Sequence, residues 1–120
     1  MEDFSVEYRQ TPLADIIRIV GEADVYVAPE LRAAFNQAVA GSPSAVVVDL
    51  TATTFLDSTG LSLLLRLRER LGETPLLLVS ESLPVTRLFE ITALDRRFKI
   101  VPSLSDALRR IMDAEPAPAA

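Results

Sequence analysis

Ala45-Val46-Val47-Val48-Asp49-Leu50, followed shortly by Phe55-Leu56-Asp57-Ser58-Thr59-Gly60-Leu61, is the stretch on which the fold turns. Its first part is a short apolar run rich in β-branched residues, preceded by the turn formers Gly41-Ser42-Pro43. A strand without polar alternation is covered on both faces, as in a parallel sheet. Thr51 to Asp57 reads as a loop. Ser58 or Thr59 then opens a helix running to about Leu71, because Asp57, Ser58 and Thr59 are all capping residues and Gly72 is a helix stop. Leu61, Leu64, Leu65 and Leu71 recur on its inward face, with Ser62, Arg66, Glu69 and Arg70 on the polar side.

Toward the N-terminus, Phe4 to Arg9 alternates apolar and polar residues, the pattern of a half-buried strand. Thr11-Pro12 breaks it, and Ile16 to Val20 forms a second strand, so the pair reads as a hairpin. Pro29 opens a helix whose face is Leu31, Ala34, Phe35, Ala38 and Val39. Toward the C-terminus, Pro75 to Ser80 is a buried strand. Ser82 to about Ile91 is a helix with Val85, Leu88 and Phe89 inward, and Phe98 to Val101 is a last strand. Ser103 with Asp106 makes a capping-box arrangement ahead of the apolar face Leu104, Ala107, Leu108, Ile111 and Met112.

The expected fold is therefore α/β, a single domain over residues 1–113. It is a mixed sheet of about five strands with four helices, in the order β-β-α-β-α-β-α-β-α. The initial hairpin supplies the antiparallel pair, and the remainder is mainly parallel. Residues 114–120, Ala-Glu-Pro-Ala-Pro-Ala-Ala, offer nothing to bury and are expected to form a disordered tail.

Composition narrows the chemistry. The chain has 120 residues and a net charge of −5, from 17 acidic against 12 basic side chains. That balance argues against sequence-independent nucleic-acid binding, which needs Lys and Arg to neutralise phosphates. Cys and His are both absent. Disulfides, thiolate nucleophiles, thiolate zinc sites and a Ser-His-Asp triad cannot be built from this chain. No cofactor loop of the Gly-rich kind occurs. Met1-Glu2-Asp3-Phe4 lacks the basic start of a signal peptide, and apolar runs such as Leu76 to Val79 are too short to span a bilayer. The expectation is a cytoplasmic protein without enzymatic activity, cofactor, metal or direct membrane insertion.

The informative segment lies where a buried strand passes into a helix. In open α/β sheets, ligands and partners meet the loops at the carboxyl ends of the strands. A helix start presents free N–H groups and partial positive charge, so a hydroxyl at its lip is a good place for a phosphate. Gly60 leaves room for another backbone or a phosphate to approach. On this chemistry alone, Asp57-Ser58-Thr59 also reads simply as an N-cap.

The order and spacing of several short stretches carry more. Gly21-Glu22-Ala23-Asp24 follows the second strand, Ala28-Pro29-Glu30-Leu31-Arg32 opens the first helix, and Val46 to Leu50 leads to Phe55 to Leu61. Arg87-Leu88-Phe89-Glu90-Ile91-Thr92-Ala93-Leu94 closes the third helix. Together they resemble the STAS family, named for sulphate transporters and anti-sigma-factor antagonists, over about residues 4 to 113. The resemblance implies an anti-sigma-factor antagonist. Unphosphorylated, such a protein binds an anti-sigma factor that is also a Ser/Thr kinase and frees a sigma factor. Phosphorylation at Ser58 ends the interaction, and a phosphatase restores it. The implied partner-binding residues are Glu22, Asp24, Phe55, Asp57, Ser58, Thr59, Gly60, Leu61 and Ser62. Ser62 stands where the family often has Gly. Thr92-Ala93-Leu94 replaces its Thr-Gly-Leu, so a left-handed helix end is less easily made.

Other readings stand beside these. Thr59 is a second acceptor or a capping hydroxyl. Asp24 orients the acceptor, contacts the kinase, or simply forms a turn. Asp57 contacts the partner, positions Ser58, or only caps. Glu22 and Asp49 read as a solvated turn residue and a strand-end residue, and Arg66, Arg68 and Arg70 as solubilising charges. A receiver domain is rejected, because such a domain starts strand-helix and carries an acidic pair after its first strand, where this chain has Pro12-Leu13. A non-catalytic STAS subunit of a lipid- or anion-transport assembly shares the fold. The free-standing length and the Asp57-Ser58-Thr59-Gly60 segment favour sigma-factor control.

Overall fold

The computed structural model describes residues 3–114. The expected tail therefore lies outside the described residues except Ala114, which is the last residue of a helix. The strands are β1 (Ser5–Gln10), β2 (Asp15–Ala23), β3 (Val46–Asp49), β4 (Thr53–Leu56), β5 (Leu76–Val79) and β6 (Lys99–Val101). The helices are α1 (Ala28–Ala40), α2 (Ser58–Leu71), α3 (Leu83–Ile91) and α4 (Leu104–Ala114), with short 3-10 turns at Val25–Val27 and Leu94–Arg96. The sheet runs β1-β2-β3-β5-β6, and β4 pairs with β2. The β1–β2 pair is antiparallel and every other pair is parallel. The mixed sheet, the hairpin and the four helices are those the sequence predicts.

Side-chain alternation builds the layers. Ile16, Val47 and Leu77 are register partners pointing to one face, and Ile17, Val48 and Leu78 point to the other. The second face is covered by α1, α2 and α3 through residues such as Leu31, Phe35, Leu64, Leu67, Val85 and Phe89. The first is covered by α4 through Ala107 and Ile111. Phe89 and Phe98 meet edge-to-face, with ring centroids 5.7 Å apart.

Four local expectations need correction. The segment read as a loop contains β4. Nine-residue β2 outruns four-residue β3, and the chain turns after β3 to take up the edge that remains, pairing Gly21, Glu22 and Ala23 with Thr53, Phe55 and Leu56. Those three β2 residues are thus strand, not turn. The ladder shifts between Gly21 and Glu22, where Gly21 takes φ +90°. Met112 is 62% exposed rather than part of the α4 core face, because Ile111 is the residue that reaches the sheet. Arg68 is not free charge. It donates to the carbonyls of Gly72 and Thr74, both at 2.8 Å, and closes the end of α2. Asp49 ends β3 as expected; it is buried and accepts from the Thr51 amide and hydroxyl, so it also holds the β3–β4 turn.

Ala93 adopts the left-handed conformation at φ 61°, despite its Cβ, and ends α3. That conformation costs a non-glycine residue about 1–2 kcal/mol. Ala93→Gly should therefore raise the urea midpoint, with a gain of about 1 kcal/mol. The Tyr8 hydroxyl donates to buried Asp15, tying the hairpin together. Burial, then the Asp15 carboxylate, raises the Tyr8 pKa. A raised folded pKa favours folding below the unfolded value of about 10, and that stability is lost as pH climbs through the folded value. Urea unfolding from about pH 8 to 11 should show a steeper alkaline loss for the native chain than for Tyr8→Phe.

Candidate functional site

β2 and β4 end side by side, with Ala23 opposite Leu56. The loops that follow them, before α1 and α2, therefore leave the sheet from adjacent points. Asp57 joins them. It is extended and caps α2: its Oδ1 accepts from the Gly60 amide at 3.0 Å. Its Oδ2 accepts from the Val25 amide at 3.2 Å, and its own amide donates to the Ala23 carbonyl at 3.3 Å. Gly60 makes this closeness possible. A Cβ there would stand 2.9 Å from the Ala23 carbonyl oxygen, a backbone atom fixed in the sheet, and 2.6 Å from Leu56 Cδ1. The room at Gly60 is taken by the neighbouring strand.

Asp24 performs a parallel task one loop away. Its Oδ1 accepts from the Tyr26 amide at 3.0 Å and caps the short 3-10 turn. Both aspartates are thus capping residues, and Asp57 also links two loops.

Ser58 is the first residue of α2 and is exposed, whereas Thr59 is half-buried. The amides of Ser58 and Thr59 have no acceptor within α2, as at any helix start. Neither oxygen of Asp57 is held ready as a base, since both are engaged by amides. Ser58 has no imidazole beside it, since the chain contains no His.

Of the other residues named from sequence, Glu22 and Phe55 are exposed register partners on β2 and β4, and Ser62 is exposed one turn into α2. Asp24 and Asp57 are half-buried. Gly60 and Leu61 are buried and support the site from beneath. Sequence reasoning missed Val25 and Tyr26, which are 56% and 86% exposed. Phe55, 49% exposed, lies on β4 beside the end of β2. The signal was available: bulky apolar residues between a turn Asp and a helix-opening Pro belong to neither a strand nor a helix period.

Among the described residues, no helix is long and apolar enough to cross a membrane, and no group of three acidic side chains is placed to hold a metal ion.

The model of the STAS domain family matches residues 5–107. The anti-sigma-F factor antagonist RsfB of Mycobacterium tuberculosis is 36% identical over 94 residues, 78% of this chain and 77% of that protein. The anti-sigma-B factor antagonist of Listeria monocytogenes is 36% identical over 93 residues, 74% of this chain and 79% of its own. The crystal structure of an anti-sigma factor antagonist from Mycobacterium paratuberculosis is similar with a TM-score of 0.88 and 34% identity. It covers 92% of this chain and 96% of that one. All three are named as factor antagonists, not as enzymes.

The Asp57 link makes two measurable demands. Asp57→Ala should lower stability by about 0.5–2 kcal/mol in urea unfolding and speed hydrogen exchange at the Val25 amide. Gly60→Ala should cost about 1–3 kcal/mol, although alanine is the better helix former, because the Ala23 carbonyl cannot retreat without breaking the β2–β4 pair.

Proposed function

The chain belongs to the STAS domain family, and from that premise we propose that it is an anti-sigma-factor antagonist switched by phosphorylation of Ser58. In this reading the unmodified chain binds an anti-sigma factor with Ser/Thr kinase activity and so releases a sigma factor. The kinase transfers a phosphoryl group to the Ser58 hydroxyl, the complex dissociates, and a phosphatase returns the chain to its binding form. The observation that carries the reading is the exposed Ser58 at the start of α2, next to Asp57, whose carboxylate ties this loop to the one carrying exposed Val25 and Tyr26. The names of the relatives in Mycobacterium and Listeria support it. The lesser exposure of Thr59 favours Ser58 as the acceptor.

The physics of the switch follows from the setting. Unmodified Ser58 is small and neutral, so an apolar partner surface can close over Tyr26, Val25 and Phe55 and gain from their burial. A phosphate adds about −1.5 to −2 charges at neutral pH. In the free chain, water and the helix start accommodate it. In a closed complex it must be desolvated next to the Asp57 carboxylate, and it occupies space the partner needs. The free state gains and the bound state loses.

Titration of the purified anti-sigma factor tests this. Phosphorylated chain should bind at least a hundredfold more weakly, a loss of about 3 kcal/mol. Ser58→Asp should bind with intermediate affinity, and Ser58→Ala should bind like the unmodified chain. Equal affinity for all forms, or mass spectrometry placing the phosphate on Thr59, would remove the proposed switch.

A further inference from the structure

The chain is acidic as a whole, at −5, yet one groove gathers positive charge. It lies between α1 and α2, a shallow depression of about 120 Å3. Arg32, Arg66 and Arg70 stand exposed around buried Phe35, Leu63 and Leu67. No carboxylate lines it. Among the described residues the ion pair present is Arg109–Asp106 on α4, so none of the three groove arginines is neutralised by a described acidic partner. Arg70 donates to Asn36 Oδ1, which fixes one guanidinium at the groove. Arg66 and Arg70 are like charges four residues apart on one helix, an arrangement that disfavours the helix by itself.

The groove is joined to the Ser58 loop. Ser58, Ser62, Arg66 and Arg70 are spaced by four residues, so they follow one ridge that winds gradually around α2. Ser58 and Ser62 are exposed at one end, and the arginines are exposed at the other. A partner that closes over the Ser58 loop and continues along this ridge reaches the groove.

We propose that the Arg32–Arg66–Arg70 groove docks an acidic segment of the anti-sigma partner and steers its approach to the Ser58 loop. The proposal rests on the anti-sigma-antagonist reading and adds to it the chemistry of a second contact. Guanidinium groups present fork-shaped donors matched to carboxylates. Exposed charges at the edge of an interface act chiefly on the association rate and on its salt dependence, whereas the loop around Ser58 governs how long the complex lasts.

The experiment compares two charge-reversed pairs of the full chain. Arg32→Glu with Arg66→Glu alters the groove. Arg109→Glu with Arg110→Glu makes the same change in net charge on α4, across the sheet. Association and dissociation with the purified anti-sigma factor are followed at about 50 mM and 500 mM salt. The groove pair should associate at least tenfold more slowly at low salt, with dissociation within about twofold and the difference collapsing at high salt. The α4 pair should behave like the native chain. Equal slowing by both pairs, or no slowing by either, overturns the groove's role. So does arginine-dependent binding of a single-stranded oligonucleotide without any effect on anti-sigma association. If the reversed groove pair does not fold by circular dichroism, Arg32→Gln with Arg66→Gln carries the same comparison. No binding by the unmodified chain at all overturns the anti-sigma reading itself, and the groove proposal with it.

Discussion

The carboxylate of Asp57 accepts from two amides that lie far apart in the chain, those of Val25 and Gly60. One oxygen satisfies a donor at the start of α2, and the other holds the loop that precedes α1. Without this bridge the two loops would be separate excursions from the sheet, each free to fray. With it, the loop carrying Val25 and Tyr26 is tied to the start of α2, where Ser58 lies. The close packing of Gly60 on the Ala23 carbonyl completes the joint, because a hydrogen bond spanning two loops holds only if the loops can come together.

That joint depends in turn on the length of β2. A strand of nine residues beside a neighbour of four leaves part of its edge unpaired. Unpaired backbone donors and acceptors in a covered sheet are costly. The chain meets this with β4, which returns to the same edge after a turn held by Asp49 and Thr51. Buried Thr53 donates to the Ile19 carbonyl at 2.8 Å and anchors the return. β4 brings Leu56 beneath the site and Phe55 to its surface, and it delivers Asp57 to the point where Ala23 ends.

In the proposed reading, the surface around Ser58 separates its functions. Apolar side chains supply area that gains from burial, while the exposed hydroxyl supplies a place where charge can be added. The arginines of α1 and α2 line a separate groove further along α2. In that reading, short-range packing and longer-range attraction fall to different residues, so that modification at one point would oppose closure without altering the fold.

The order of strands and helices, the hairpin, the inward faces and the capping character of Asp57-Ser58-Thr59 were all legible in the sequence, because they follow from local periodicity and from residues with strong positional preferences. The resemblance to STAS proteins was legible for the same reason, since its motifs are runs of neighbouring residues. β4 was not legible as a strand: four residues between a strand and a helix read as a loop until a free edge lies beside them. Nor were the Asp57–Val25 link, the reason Gly60 must be glycine, the exposure of Tyr26 or the clustering of Arg32 with Arg66 and Arg70. Each of these joins residues distant along the chain, and only the folding of the sheet and the packing of α1 on α2 decide which distant residues become neighbours.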